Sequence, residues 1–68
     1  MNKVIIGHKA RGTYYEGLGE HEKAIESYLK CRELPDVLRA IALAYSDLDD
    51  VENAVASFEA AVKSGDLK

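Results

Sequence analysis

The two histidines and the single cysteine are the side chains best suited to catalysis or metal binding. His21 and Glu22 begin like the helical zinc motif, in which a second histidine follows four residues after the first, but Ile25 stands at that position. His8 has no serine or cysteine close in sequence that it could activate. Cys31 lies at a small apolar position of the helical pattern, where a thiol is buried and unreactive. We therefore expect no catalytic residue, no metal site and no cofactor.

The charge and the apolar runs exclude further classes of function. The net charge is −3 and the isoelectric point is about 5.2, whereas a nucleic-acid-binding surface needs clustered positive charge. The longest unbroken β-branched run, residues 4–6, is far shorter than a membrane span. A single cysteine cannot form an internal disulfide, which suits a reducing compartment. We expect a cytoplasmic protein that binds neither nucleic acid nor membrane.

The apolar residues recur at three- and four-residue spacing, which predicts an all-α protein. Four helices are expected at about Lys3–Leu18, Glu20–Glu33, Pro35–Leu48 and Asp50–Ser64. Gly19, Asp49 and Gly65 suit the left-handed residue that follows a helix, and Asp50 suits the N-cap of the last helix, accepting from the amide of Asn53. Pro35 fits the first turn of the third helix, where its missing N–H costs nothing. The elements form two tandem antiparallel hairpins.

The two hairpins repeat each other at a shift of thirty residues. Small residues align with small and aromatic with aromatic in the pairs Gly12 and Ala42, Tyr15 and Tyr45, Ala24 and Ala54, Tyr28 and Phe58, and Cys31 and Ala61. A period of this length is typical of solenoids, which present surfaces to partners. We expect one domain over residues 1–68, with a first repeat at about 5–34 and a second at about 35–64.

These residues resemble the tetratricopeptide repeat, a helix–turn–helix unit of about 34 residues. The second unit matches its signature spacing through Leu38, Ile41, Ala42, Tyr45, Ala54, Phe58 and Ala61. The first unit departs from it at His8 and Arg11, where the family prefers apolar residues. The resemblance implies a short right-handed solenoid with a concave groove lined by the first helix of each hairpin.

The groove implied by this resemblance is the predicted site for a protein or peptide partner. Lys9 and Arg39 are thirty residues apart and would occupy equivalent positions in it. Relatives that clamp a peptide carboxylate also use asparagines, but Thr13 and Ala40 stand at those positions, and the two cations could equally be solvated surface charges. The predicted groove residues are Ile6, Lys9, Thr13, Glu16, Asp36, Arg39, Leu43, Ser46 and Asp47.

Both ends of the array carry a prediction. Leu29 is expected to contact the following helix, whereas its equivalent Glu59 turns toward water, which predicts a polar outer face and an array that ends here. Two repeats are fewer than the three usually needed for stability, so self-association is also expected. The predicted surface for it is the apolar segment Val4, Ile5 and Ile6, as a packed first turn or an extended arm.

Taken together, these features predict a non-enzymatic protein–protein interaction module. Two alternatives stay open: a small self-assembling homodimeric scaffold, and a small viral or phage-encoded inhibitor that acts by binding a protein. A third is an enzyme accessory with a ligand site at His8 and Tyr15.

Overall fold

The computed structural model describes residues 3–34 and 36–65, and these residues form four helices and no strand. The helices are α1 (Lys3–Gly17), α2 (His21–Leu29), α3 (Val37–Asp47) and α4 (Val51–Ser64). α1 packs on α2 and α3 packs on α4, while α2 packs on α3 and joins the two hairpins. The predicted all-α architecture of two tandem hairpins is confirmed.

The predicted helix ends are confirmed where two helices meet at a turn. Gly19 and Asp49 adopt left-handed φ angles of 77° and 60°, which lets the chain reverse direction after the first helix of each hairpin. Asp50 caps α4, because its Oδ1 accepts from the backbone N–H of Asn53 at 3.3 Å. Gly65 ends α4 with a φ of 87°.

The connection between the hairpins differs from the prediction. α2 ends at Leu29 rather than Glu33, and α3 begins at Val37 rather than residue 35. Tight turns follow α2, with the N–H of Cys31 donating to Tyr28 and that of Leu34 donating to Cys31. The thirty-residue period leaves few residues for this reversal, so the last turn of α2 unwinds to supply them. The predicted role of Pro35 lies outside the described residues.

The core lies between α1, α2 and α3. It is built by Ala24, Ile25, Tyr28, Cys31, Leu34, Val37, Ile41 and Ala44, with Ile5, Tyr15, Leu38, Ala40 and Tyr45 packed against it. Gly12 leaves room on α1 for the ring of Tyr28 from α2, since a Cβ atom there would overlap that ring. Glycine therefore stands mid-helix at this position for a steric reason.

The outer face of α4 is not the polar cap that Glu59 predicted. Val51, Val55 and Val62 are exposed along this face, and Phe58 is only half-buried. α4 packs on α3 through Ala54 and Ala61, and no other described helix covers its opposite side. Leu29, which was expected to contact the following helix, lines a cleft together with Leu38 and Ile41 of α3 and is 43% exposed. The prediction of a finished polar end was therefore wrong for the valines and correct only for Glu59, which is exposed.

The segment Val4, Ile5 and Ile6 is helical rather than an extended arm, because α1 begins at Lys3. Ile5 packs against the core, while Val4 and Ile6 are exposed. The surface predicted for self-association is thus divided by the helical period, which turns adjacent side chains about 100° apart.

Candidate functional site

The α3 part of the predicted groove forms a shallow depression. Asp36, Arg39, Ala40 and Leu43 line it, and Leu43 is 47% exposed although α3 buries its opposite face. Ser46 lies one turn further along and is exposed. An apolar side chain flanked by one cation and one anion can bind an amphipathic peptide segment.

The α1 part of the predicted groove is less open. Ile6 is exposed and Lys9 is half-buried. The Thr13 hydroxyl donates to the carbonyl of Lys9 at 3.1 Å and lies 3.3 Å from the hydroxyl of Tyr28. The Thr13 hydroxyl is therefore engaged with its own helix and with α2. It stands where relatives that clamp a peptide carboxylate have an asparagine.

Glu16 and Asp47, predicted as groove residues on α1 and α3, meet at the first residue of α2. Nδ1 of His21 lies 2.8 Å from Oε1 of Glu16 and 3.6 Å from Oδ2 of Asp47. Because a carboxylate can only accept, Nδ1 carries the proton in the shorter contact. The hydrogen bond that His21 donates to Glu16, together with the negative charges of Glu16 and Asp47, raises the pKa of His21, and desolvation partly opposes this rise. This cluster joins three helices at one end of the groove.

Ligand atoms of Glu16, His21 and Asp47 all lie within 4.8 Å of one another, and one imidazole with two carboxylates is a donor set that divalent metals accept. The direct contact between His21 and Glu16 already satisfies both groups without an ion. His21 is one-quarter exposed and is held by these polar contacts. The sequence offered no signal for the convergence, since Asp47 comes from the other hairpin.

A second cleft, which was not predicted, lies between α1 and α2, and several of its side chains are positively charged. This basic cleft encloses about 380 Å³ and is lined by His8, Arg11, Tyr15, Lys23, Glu26, Ser27 and Lys30. Nζ of Lys23 lies 5.8 Å from the ring centroid of Tyr15, within cation–π range. Nη1 of Arg11 lies 3.4 Å from Nδ1 of His8. His8 and Tyr15, the pair named for a small-ligand site, thus line one cleft.

Cys31 is a buried free thiol that contacts the carbonyl of Ser27 at 3.8 Å. Burial raises the pKa of Cys31, Glu33 raises it further, and Lys9 opposes both. The thiol form therefore dominates at neutral pH, and the predicted packing role is confirmed.

None of the described helices is long and apolar enough to cross a membrane.

The model of one protein family, described as "Tetratricopeptide repeat", matches the chain twice, at residues 10–36 and 35–64. The two matches follow the two hairpins and span most of the chain. No curated protein and no solved structure gives a significant match. Repeats of this family mediate protein–protein interactions, which is the class of function that composition and motifs had left open. With four helices paired as two tandem hairpins and both hairpins matched, the chain belongs to the tetratricopeptide repeat family.

Proposed function

We propose that the chain is a non-enzymatic binding module that holds an extended or helical segment of a partner protein against α1 and α3. The observation that carries this proposal is the depression around Leu43, where an apolar side chain stands exposed between Asp36 and Arg39. Such an apolar anchor with a charged rim is typical of peptide-binding surfaces.

Two features of the neighbouring helix support the same surface. Ile6 on α1 is a second exposed apolar side chain, and Lys9 occupies the position in the first repeat that Arg39 occupies in the second. The contacts of His21 with Glu16 and Asp47 hold the ends of α1 and α3 in a defined relation. A surface that is ordered before binding loses less entropy when a partner docks.

Cys31 is a buried free thiol that forms no disulfide, which suits the reducing cytoplasm, where we place the module.

The test is capture of partners from lysate on immobilised protein, identified by mass spectrometry and then measured with the purified partner. Leu43→Asp should weaken that binding at least tenfold, because it puts a charge where an apolar anchor docks. Val55→Asp is the matched control, since Val55 is 49% exposed against 47% for Leu43 but lies on the outer face of α4.

Charge reversal tests the rim of the same surface. Lys9→Glu combined with Arg39→Glu should slow association with an acidic partner, most strongly at low salt. Binding that survives both this variant and Leu43→Asp, with helical circular dichroism unchanged, would remove the groove as the functional surface.

A further inference from the structure

The contact between α2 and α3 shows how one hairpin of this chain packs on the next. Ile25 and Tyr28 of α2 join Val37, Ile41 and Ala44 of α3 in one buried cluster. Since the sequence repeats at thirty residues, each of these positions has an equivalent on α1 or α4, the first and last of the described helices. α4 repeats the positions of α2, and α1 repeats those of α3.

Both equivalent faces are open, and each keeps an apolar character. Ile25 is 6% exposed, whereas its equivalent Val55 on α4 is 49% exposed. Ala44 is fully buried, whereas its equivalent Tyr14 on α1 is 64% exposed. We call the first surface the α4 face; it carries Val51, Glu52, Val55, Glu59 and Val62. We call the second the α1 face; it carries Val4, Gly7, Arg11, Tyr14 and Leu18, at the 3–4-residue spacing of one helical stripe.

The clefts beside the two hairpins show the same correspondence. An inner cleft is lined by Leu38, Ile41, Tyr45, Asn53, Ala56, Ser57 and Ala60, and α2 completes it with Leu29 and Arg32. Subtracting thirty from the seven residues of α3 and α4 gives the seven residues that line the basic cleft. Among the described residues, the basic cleft is therefore an inner cleft with no preceding helix beside it. The equivalents of Leu29 and Arg32 are Glu59 and Val62, on the α4 face.

The basic cleft and the α4 face carry opposite charges. Arg11, Lys23 and Lys30 surround the basic cleft against the single carboxylate of Glu26. Glu59 is exposed on the α4 face, one helical turn from Val55 and Val62 and seven residues from Glu52. Leu29 suits the inner cleft because the wall of that cleft is mostly apolar. Its equivalent Glu59 is a carboxylate and suits the positively charged wall of the basic cleft. Pairing between opposite charges favours one register of association over others.

We propose that a second copy of this chain stacks its α1 face on the α4 face of the first, repeating the contact between α3 and α2. In this arrangement Glu59 of one copy enters the basic cleft of the next, and Val55 and Val62 are covered by its α1. The interface joins two different surfaces, so it leaves one of each free and association continues head to tail. It uses neither Leu43 nor Arg39, and it therefore goes beyond the proposed groove.

Sedimentation velocity on the purified chain over a range of concentrations tests the stacking. The mean mass should rise above the 7.5 kDa of one chain, more so at low salt. Glu59→Arg and Arg11→Glu should each weaken association at least tenfold, and the double variant should regain most of it because the pair is reversed. Glu22→Lys is the charge-matched control, since Glu22 is exposed on α2 and belongs neither to the two faces nor to the lining of the basic cleft.

Mixing two variants tests the head-to-tail geometry. Tyr14→Asp blocks the α1 face and Val55→Asp blocks the α4 face, and both side chains are exposed, so each variant should keep its helical circular dichroism. Each alone should remain a single chain, and an equimolar mixture should stop at a complex of two. Self-association of either variant alone would point to an interface between like faces and overturn the proposal. So would a wild-type chain that stays monomeric to about 1 mM at low salt, or a double charge variant that does not recover.

Discussion

At the residue scale, His21 is the group whose protonation is coupled to the tertiary structure. The hydrogen bond to Glu16, with the nearby charges of Glu16 and Asp47, raises the pKa of His21 above its usual value of about 6.5. A raised pKa in the folded state means that His21 stabilises the fold below its unfolded pKa and loses this contribution as the pH rises through the folded pKa. The contact therefore favours the folded chain in mildly acidic solution.

We expect the urea midpoint of the wild type to fall between pH 5.5 and pH 8.5 by more than that of His21→Gln. The variant keeps a polar side chain but cannot gain a proton, so the two stability curves should converge at high pH. His8 is present in both chains, and its contribution cancels in the comparison. Parallel curves would mean that the cluster of Glu16, His21 and Asp47 is not formed in solution.

Also at the residue scale, two glycines of α1 should respond in opposite ways to the same substitution. Gly12→Ala should destabilise the fold by about 1–3 kcal/mol, because the added Cβ meets the Tyr28 ring. Gly7→Ala meets no atom within 4 Å and should stabilise the helix by about 0.5–1 kcal/mol. Chemical denaturation at low protein concentration measures both. A Gly12→Ala chain as stable as Gly7→Ala would show that α1 and α2 do not approach closely at this point.

At the element scale, the second helices of the two hairpins differ in how deeply they bury their aromatic ring. Tyr28 of α2 is 4% exposed, because α1 and α3 enclose it from both sides. Its equivalent Phe58 on α4 is only half-buried, because α4 has α3 on one side and no described helix on the other. Equivalent positions in the two repeats are therefore expected to contribute unequally to the free energy of unfolding.

Tyr28→Ala should cost about 3–5 kcal/mol, which is the usual range for removing a buried aromatic ring. Phe58→Ala should cost distinctly less, since part of its ring is already in water before the change and less apolar area is lost from the interior. The alignment of Tyr28 with Phe58 in the repeat gives no reason by itself for unequal costs. Urea denaturation followed by far-ultraviolet circular dichroism compares them directly, and equal losses would place Phe58 in the core after all.

At the scale of the whole molecule, the two proposed surfaces are separate. The groove residues Arg39 and Leu43 lie on α3, whereas the stacking surfaces lie on the outer sides of α1 and α4. Substitutions can therefore be divided between them: Leu43→Asp should affect partner binding alone, and Glu59→Arg should affect association alone. This division allows either proposal to fail without the other.

Stacking should also make the stability of the molecule depend on its concentration. Association of folded copies stabilises them by mass action, so the thermal midpoint of the wild type should rise as the chain is concentrated. The Glu59→Arg chain should show a midpoint that changes little over the same range, because its carboxylate no longer enters the basic cleft. A wild-type midpoint that is independent of concentration would contradict stacking at those concentrations.

The helices, the hairpin turns and the family could be predicted from the order of the residues, because these depend on local interactions and on a period of thirty residues. The αL residues Gly19 and Asp49 and the cap at Asp50 are local in this sense. The early end of α2 was missed, since the demands of the chain reversal outweigh helix propensity there.

Which apolar and charged side chains remain exposed depends on how the helices pack against one another. The meeting of Glu16, His21 and Asp47 depends on three helices from two hairpins, and no spacing within one helix encodes it. The exposure of Val55, and the basic cleft around Arg11, follow from the absence of a packed neighbour at each end of the described helices. Helical periodicity identifies which side of a helix is apolar, but whether that side is buried depends on what packs against it.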